Sequence, residues 1–181
     1  MRWLLIAVAA ASFAIYGHAI RTFFSREHGV DRRMTLLQVG GLIAAAVHLL
    51  SIYLYPISFY RGLVSLIVYV AGLWIFFGAR AALKGFRLTL AFSHDAPTGI
   101  ITTGVYARIR HPFYLAYSLT WVGGFIAVLS VWTLATSVSM IVAYVYAARL
   151  EEAKFQQSSL ASEYKAYRAR AGLFWPKLRS L

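Results

Sequence analysis

The chain has 181 residues, of which 60% are hydrophobic and 13% charged, with a mean hydropathy of +0.65. Soluble domains run near half apolar and about a quarter charged, so water cannot cover this composition, and disorder, which needs low hydrophobicity, is excluded as well. The net charge of +12 comes from 18 Lys and Arg against 6 Asp and Glu. In a soluble protein it would suggest nucleic acid, but in a membrane protein it reads as cytoplasmic loops meeting anionic lipid headgroups, and no nucleic-acid partner is expected. The absence of Cys removes disulfides, thiolate nucleophiles and zinc–thiolate sites. No metal site is expected.

Five apolar stretches are long enough, or nearly so, to cross a hydrocarbon core of about 30 Å, which takes about 20 residues. They cover residues 3–20, 36–54, 63–79, 113–129 and 131–148. The expected fold is therefore all-α: a single polytopic membrane domain over 1–181 with five transmembrane helices. Little more than Ser130 separates the last two, so they are expected to form a tight hairpin. The first stretch follows Arg2 and is rich in small residues, which also suits a signal peptide. Cleavage would leave Arg21 to Arg33 outside, against the charge rule, so it is read as a span.

The basic residues sort by connection. All of them except Arg2 and Arg61 fall after the first, third or fifth span, including Arg26 and Arg179. The positive-inside rule then places the N-terminus outside and the C-terminus in the cytoplasm. No internal repeat or linker divides the chain, and the hydrophilic residues concentrate in two cytoplasmic segments, 80–112 and 149–181.

The first of these segments breaks up at Asp95, Pro97, Gly99 and Gly104 and ends in Arg108, Arg110 and His111 before Pro112. Proline suits the first turn of a helix, so Arg110 and His111 belong at the mouth of the fourth helix. There they are either positive-inside anchors or, with the positive helix end, a seat for an anion. In the second segment Glu151 and Glu152 leave the membrane together in a chain with few acids. They either pair on the helix surface, with Arg149 and Lys154 at i,i+3, or hold a cation or a hydroxyl. A short helix then carries Glu163, Tyr164, Tyr167 and Arg170 ahead of Phe174, Trp175 and Pro176, a mixture that also suits a membrane-surface helix. His48, inside the second span, is read as a helix-to-helix hydrogen bond.

The stretch TTGVYARIRHPFYL resembles the T-G-x-Y-x-x-x-R-H-P-x-Y-L signature of the isoprenylcysteine carboxyl methyltransferase and phospholipid methyltransferase superfamily. In that superfamily a helical hairpin follows, then a Glu pair, an F-G-x-E-Y-x-x-Y motif and an aromatic proline motif. This chain supplies Glu151, Glu152, Glu163, Tyr164, Tyr167, Phe174, Trp175 and Pro176 in that order. It departs at Leu160 and Ala161, which replace Phe-Gly, at Ala116, which replaces a glycine, and at Gly172, which replaces a proline.

The resemblance implies an integral membrane methyltransferase using S-adenosylmethionine, with Tyr106, Arg110, His111, Pro112, Tyr114, Glu151, Glu152, Tyr164 and Tyr167 expected to bind the cofactor. Arg110 or His111 would take its carboxylate, Glu151 or Glu152 its hydroxyls and amino group, and Tyr114 or Tyr167 its sulfonium. Arg170 would orient a carboxylate acceptor, or Glu163 would act as base for an amine or thiol. The expected partner is a lipophilic acceptor, a prenylcysteine-like carboxylate or a lipid headgroup, entering from the membrane among its lipids. Two alternatives remain. One is an NADPH-dependent reductase of the steroid 5-alpha-reductase type, which shares an R-H-P-x-Y segment but lacks the Glu pair. The other is a non-enzymatic sensor on the same scaffold.

Overall fold

A computed structural model describes residues 1–25, 29, 31–89 and 91–177; Arg26 and Arg179 lie outside the described residues. Among the described residues, six α-helices carry nearly all of the regular secondary structure: α1 (Arg2–Thr22), α2 (Arg32–Leu54), α3 (Phe59–Leu83), α4 (Pro112–Val128), α5 (Val131–Gln156) and α6 (Ala161–Arg170). The chain is all-helical apart from a two-residue parallel pair, β1 (Phe24–Ser25) with β2 (Leu88–Thr89), and a 3-10 turn at Gly104–Ala107.

The helices outrun the apolar stretches because polar side chains, which hydropathy does not register, set their ends. Asp31 accepts from the Arg33 amide to start α2, Ser58 from the Arg61 amide to start α3, and Ser130 from the Trp132 amide to start α5. At its other end α5 continues past residue 148 for two more turns, carrying Glu151, Glu152 and Phe155.

By length and composition four helices, α1, α2, α3 and α5, can cross a membrane. The expectation of five meets a difference at α4, which has 17 residues and so rises about 25 Å. Its place in the bundle explains its apolar composition. α4 is buried on nearly all sides, from Phe113 and Leu115 through Ala116, Tyr117, Thr120 and Trp121 to Gly124 and Ala127, and it packs against α1, α2, α3 and α5. A helix apolar all round is a core helix. Small residues let its neighbours approach: a side-chain carbon on Gly72 of α3 would lie 3.1 Å from the Ala116 carbonyl oxygen. Lipid-facing apolar side chains such as Leu42, Ile67, Trp74 and Val142 cover the outside of the other helices.

Aromatic rings fill the middle. Tyr16 of α1 sits 4.6 Å from Tyr117 and 5.0 Å from Phe76, ring centre to ring centre, and its hydroxyl lies 3.0 Å from Thr120 Oγ1. Trp121 donates from Nε1 to the Tyr144 hydroxyl at 3.1 Å, and Ser137 donates to the Trp121 carbonyl at 3.0 Å, so α4 and α5 are bonded across their shared face. His48 is fully buried, with Nδ1 3.3 Å from Thr136 Oγ1 and its ring edge-on to Trp121.

The connections gather at two ends. At one end Arg2 donates to the Tyr55 carbonyl and Arg61 to Ser58. At the other, β1 meets β2, the Asp31 amide donates to the Phe92 carbonyl, and the segment after the 3-10 turn pairs with the C-terminal tail through Ile109 and Gly172. The three basic connections thus come together, and the candidate site lies among them.

His48 has room only because residue 124 is glycine, since a Cβ there would lie 1.7 Å from His48 Nε2. Gly124→Ala is expected to destabilise the bundle by about 1–3 kcal/mol through overpacking. Gly40→Ala, whose added carbon meets nothing within 4 Å, is expected to be neutral or slightly stabilising. Thermal midpoints of the two variants in detergent check this, and equal midpoints would refute the packing argument.

Candidate active site

Residues 108–111 link the 3-10 turn to α4, and the tail after α6 pairs with them. The Arg110 amide donates to the Gly172 carbonyl at 2.8 Å, the Gly172 amide to the Arg108 carbonyl at 2.9 Å, and the His111 amide to the Leu173 carbonyl at 3.2 Å. Gly172 must lack a side chain, because a Cβ would sit 1.7 Å from the Trp175 carbonyl oxygen.

The Arg110 side chain is held on two edges. Its Nε donates to Glu152 Oε1 at 2.8 Å, and its Nη1 donates to the carbonyls of Arg168 and Ala171 at the end of α6. Those carbonyls are orphaned where a helix stops, and a cation there also meets the negative end of the helix. A planar guanidinium reaches both partners at once, which a lysine cannot do. The Arg110 and Glu152 side chains are 6% and 5% exposed, so removing either partner would leave a buried charge with poorer compensation and destabilise the site.

His111 stands beside this pair. Its Nδ1 lies 3.2 Å from Glu151 Oε2 and its Nε2 3.5 Å from Glu152 Oε1. Burial disfavours the imidazolium, but hydrogen bonds and charge from Glu151 and Glu152 outweigh it, so the His111 pKa is raised above its ordinary value of 6.5. Tyr114, one turn into α4, donates its hydroxyl to Glu151 Oε1 at 2.7 Å. Of the two surface pairings open to the Glu residues, neither forms: Glu152 faces Arg110, His111 and Arg168, and Lys154 donates to the Ser93 carbonyl.

α6 closes the site. Tyr167 donates its hydroxyl to the Tyr106 carbonyl at 2.7 Å, and Tyr164 stacks on Phe155 of α5 at 4.4 Å, nearly parallel. The result is a cleft of about 670 Å³, counted with its open mouth. Tyr106, Arg110, His111, Pro112, Tyr114, Glu151, Tyr164 and Tyr167 line it, with Glu152 behind Arg110. The structure therefore brings together the residues expected to bind a cofactor. Arg110 is committed to Glu152 and to α6, and His111, whose proton is favoured by Glu151 and Glu152, lines the cleft beside it. The hydroxyl of Tyr106 is buried with no hydrogen-bond partner among the described residues.

Glu163 and Arg170 lie elsewhere, exposed on α6 and outside the lining. The sequence reading missed Phe86, Gly99, Ile100, Ile101 and Phe155, which also line the cleft. Phe155 had a signal, since it follows Glu151 at i+4 on one helix face. The other four sit in loop sequence with no chemical signature.

Long apolar helices make this a multi-pass membrane protein, with the cleft at one end of the helix bundle. Residues 60–162 match the phospholipid methyltransferase family, and the chain belongs to it. The protein is thus a membrane methyltransferase by family. The matched stretch spans α3, α4, α5 and the segment before α4, while α1, α2 and nearly all of α6 lie outside it. Neither a curated protein nor a solved structure matches the chain.

Because the folded-state pKa of His111 is raised, its ion pairs contribute fully below the ordinary value of 6.5 and are lost as pH rises through the folded value. The thermal midpoint of the protein relative to His111→Gln is therefore expected to be largest near about pH 6 and to shrink as the pH is raised. A difference that stays constant from acid to alkaline pH would count against the His111–Glu151–Glu152 cluster.

Proposed function

We propose that the cleft binds S-adenosylmethionine and that the protein transfers its methyl group to a lipophilic acceptor at the cytoplasmic face of the membrane. When bound, this cofactor supplies a methyl group on a sulfonium centre, and transfer by in-line displacement needs alignment more than acid or base. The donor set suits such a ligand. Glu151 accepts hydroxyl and amino hydrogens, His111 as imidazolium attracts a carboxylate, the unpartnered Tyr106 hydroxyl offers a further polar contact, and the rings of Tyr114, Tyr164 and Tyr167 attract a sulfonium. Arg110 and Glu152 hold the frame. Glu163 and Arg170, outside the cleft, have no part in this assignment.

The observation that carries the acceptor class is a second cavity. A chamber of about 1290 Å³, counted with its open side, lies between α1, α2, α4 and α5 and is lined by Phe13, Trp121, Met140 and other apolar or aromatic side chains. Tyr114 lines both this chamber and the cleft. A water-soluble cofactor and a membrane-soluble acceptor would thus meet at one side chain. The positive-inside rule supports the orientation, because the cleft lies at the end where the basic connections gather. In this reading α4 is the fifth crossing, it forms a hairpin with α5, and the N-terminus lies outside.

The test is calorimetric binding of S-adenosylhomocysteine to detergent-purified protein, with NADPH as control. The first ligand is expected to bind and the second not to. Glu151→Gln, which keeps the shape but removes the charged acceptor, is expected to weaken binding by about tenfold or more in protein that is still folded. Binding of NADPH, or of neither ligand by folded protein, would overturn the proposal.

A further inference from the structure

The acceptor side of the molecule carries its own polar signature. More than half of the chamber wall comes from α1 and α2, which precede residue 60 and lie outside the family match. A lipid tail passing from the bilayer into this chamber exchanges one apolar medium for another, so tail burial discriminates poorly between lipids. Discrimination must come from polar groups on the wall.

Those groups are few. Apart from tyrosines, the lining holds one cation, Arg21, and one amide, Gln38, with no Asp or Glu. Arg21 is exposed in the last turn of α1 and makes no ion pair or side-chain hydrogen bond among the described residues. Of the lining tyrosines, Tyr16, Tyr114 and Tyr144 are bonded to Thr120, Glu151 and Trp121. Tyr117 is not: its hydroxyl is buried and has no partner among the described residues. An unpaired buried hydroxyl is costly and calls for a partner. Arg21 and Tyr114 both lie near the end of the bundle where the basic connections gather, while Phe13, Trp121 and Met140 lie two or more turns further in. The chamber therefore has a polar mouth and an apolar depth.

We propose that the chamber takes an anionic amphiphile, whose carboxylate or phosphate is held at the mouth by Arg21 and Gln38 and whose chain lies against Phe13, Trp121 and Met140. A guanidinium engages either oxyanion through paired donors, and the Tyr117 hydroxyl supplies a further donor along the wall. That this amphiphile is the methyl acceptor rests on the proposed function above; that it binds here does not. Arg21 and Gln38 would then set which lipids are accepted, independently of the cofactor cleft.

Brominated chains quench tryptophan on contact, and Trp121 lines the chamber. The experiment titrates the protein, in phosphatidylcholine nanodiscs, with dibromostearate, a dibrominated lysophosphatidate and dibromostearyl alcohol, taking the signal lost in Trp121→Phe as that of Trp121. Saturable quenching is expected from one or both anionic chains, weakened by about tenfold in Arg21→Gln, with the neutral alcohol indifferent to the substitution. The two anionic arms separate a carboxylate head from a phosphate head. Thermal midpoints with each amphiphile give a second readout, in which the anionic chain stabilises the protein and fails to stabilise Arg21→Gln. Equal behaviour of all three chains, no effect of Arg21→Gln, or no quenching at all would overturn the proposal and leave Arg21 as a membrane anchor. S-adenosylhomocysteine binding on the same sample reports separately on the cofactor cleft.

Discussion

The Arg110–Glu152 ion pair ties three distant pieces of chain together at one end of the bundle. Glu152 stands on α5 beyond the apolar part of the helix, Arg110 stands in the segment before α4, and the other edge of the guanidinium closes the end of α6. Each partner is almost wholly buried, so neither can be there without the other. Once they pair, the segment before α4, the extension of α5 and the C-terminal helix have fixed mutual positions, and the cleft is the space left between them. The pair also separates the work of two adjacent carboxylates. Successive helical residues are about 100° apart around the axis, so when Glu152 turns to Arg110 its neighbour turns elsewhere. Glu151 lines the cleft, where it meets His111 and Tyr114.

The helices were legible because apolar runs long enough to cross a bilayer leave little else for the backbone to do. Their ends were not, because Asp31, Ser58 and Ser130 act through single capping hydrogen bonds that an average over hydropathy dilutes. α4 was legible as a helix from Pro112 onward, but its central place was not. Its composition resembles a lipid-facing span, and only packing shows that Gly124 admits His48 and that Ala116 lies against Gly72. The β1–β2 pair has no sequence signal at all, since two residues from each of two distant connections pair only after the bundle has brought them together.

At the site, the ordered motifs predicted membership of a cluster, and the cleft gathers most of those residues. Spacing alone could not say which face of α6 turns inward. Tyr164 and Tyr167, at i,i+3, take the buried face, and that choice leaves Glu163 and Arg170 exposed. Nor could it say that Arg110 would be consumed internally: an arginine beside a helix start reads as an anion seat until its partner, 42 residues away in sequence, is known. The surface pairings open to the Glu residues at i,i+3 were likewise decided by distant groups rather than by neighbours on α5.

Under the proposed function, placing both cavities against Tyr114 would solve a problem of solvents. A soluble charged cofactor is unstable in lipid and a lipid chain is unstable in water, so a reaction between them needs a boundary thin enough for in-line attack yet tight enough to keep each medium on its own side. One aromatic residue, hydrogen-bonded to Glu151 and stacked on Tyr144 at 5.6 Å, meets both demands. The two sides of that boundary also differ in origin. The cleft is built largely from the stretch that matches the family, whereas α1 and α2, outside it, wall the chamber. Under the proposed function, substitutions on α1 and α2 would change which lipid reaches Tyr114 without disturbing the Arg110–Glu152 frame, so that acceptor choice would be separable from methyl-donor binding.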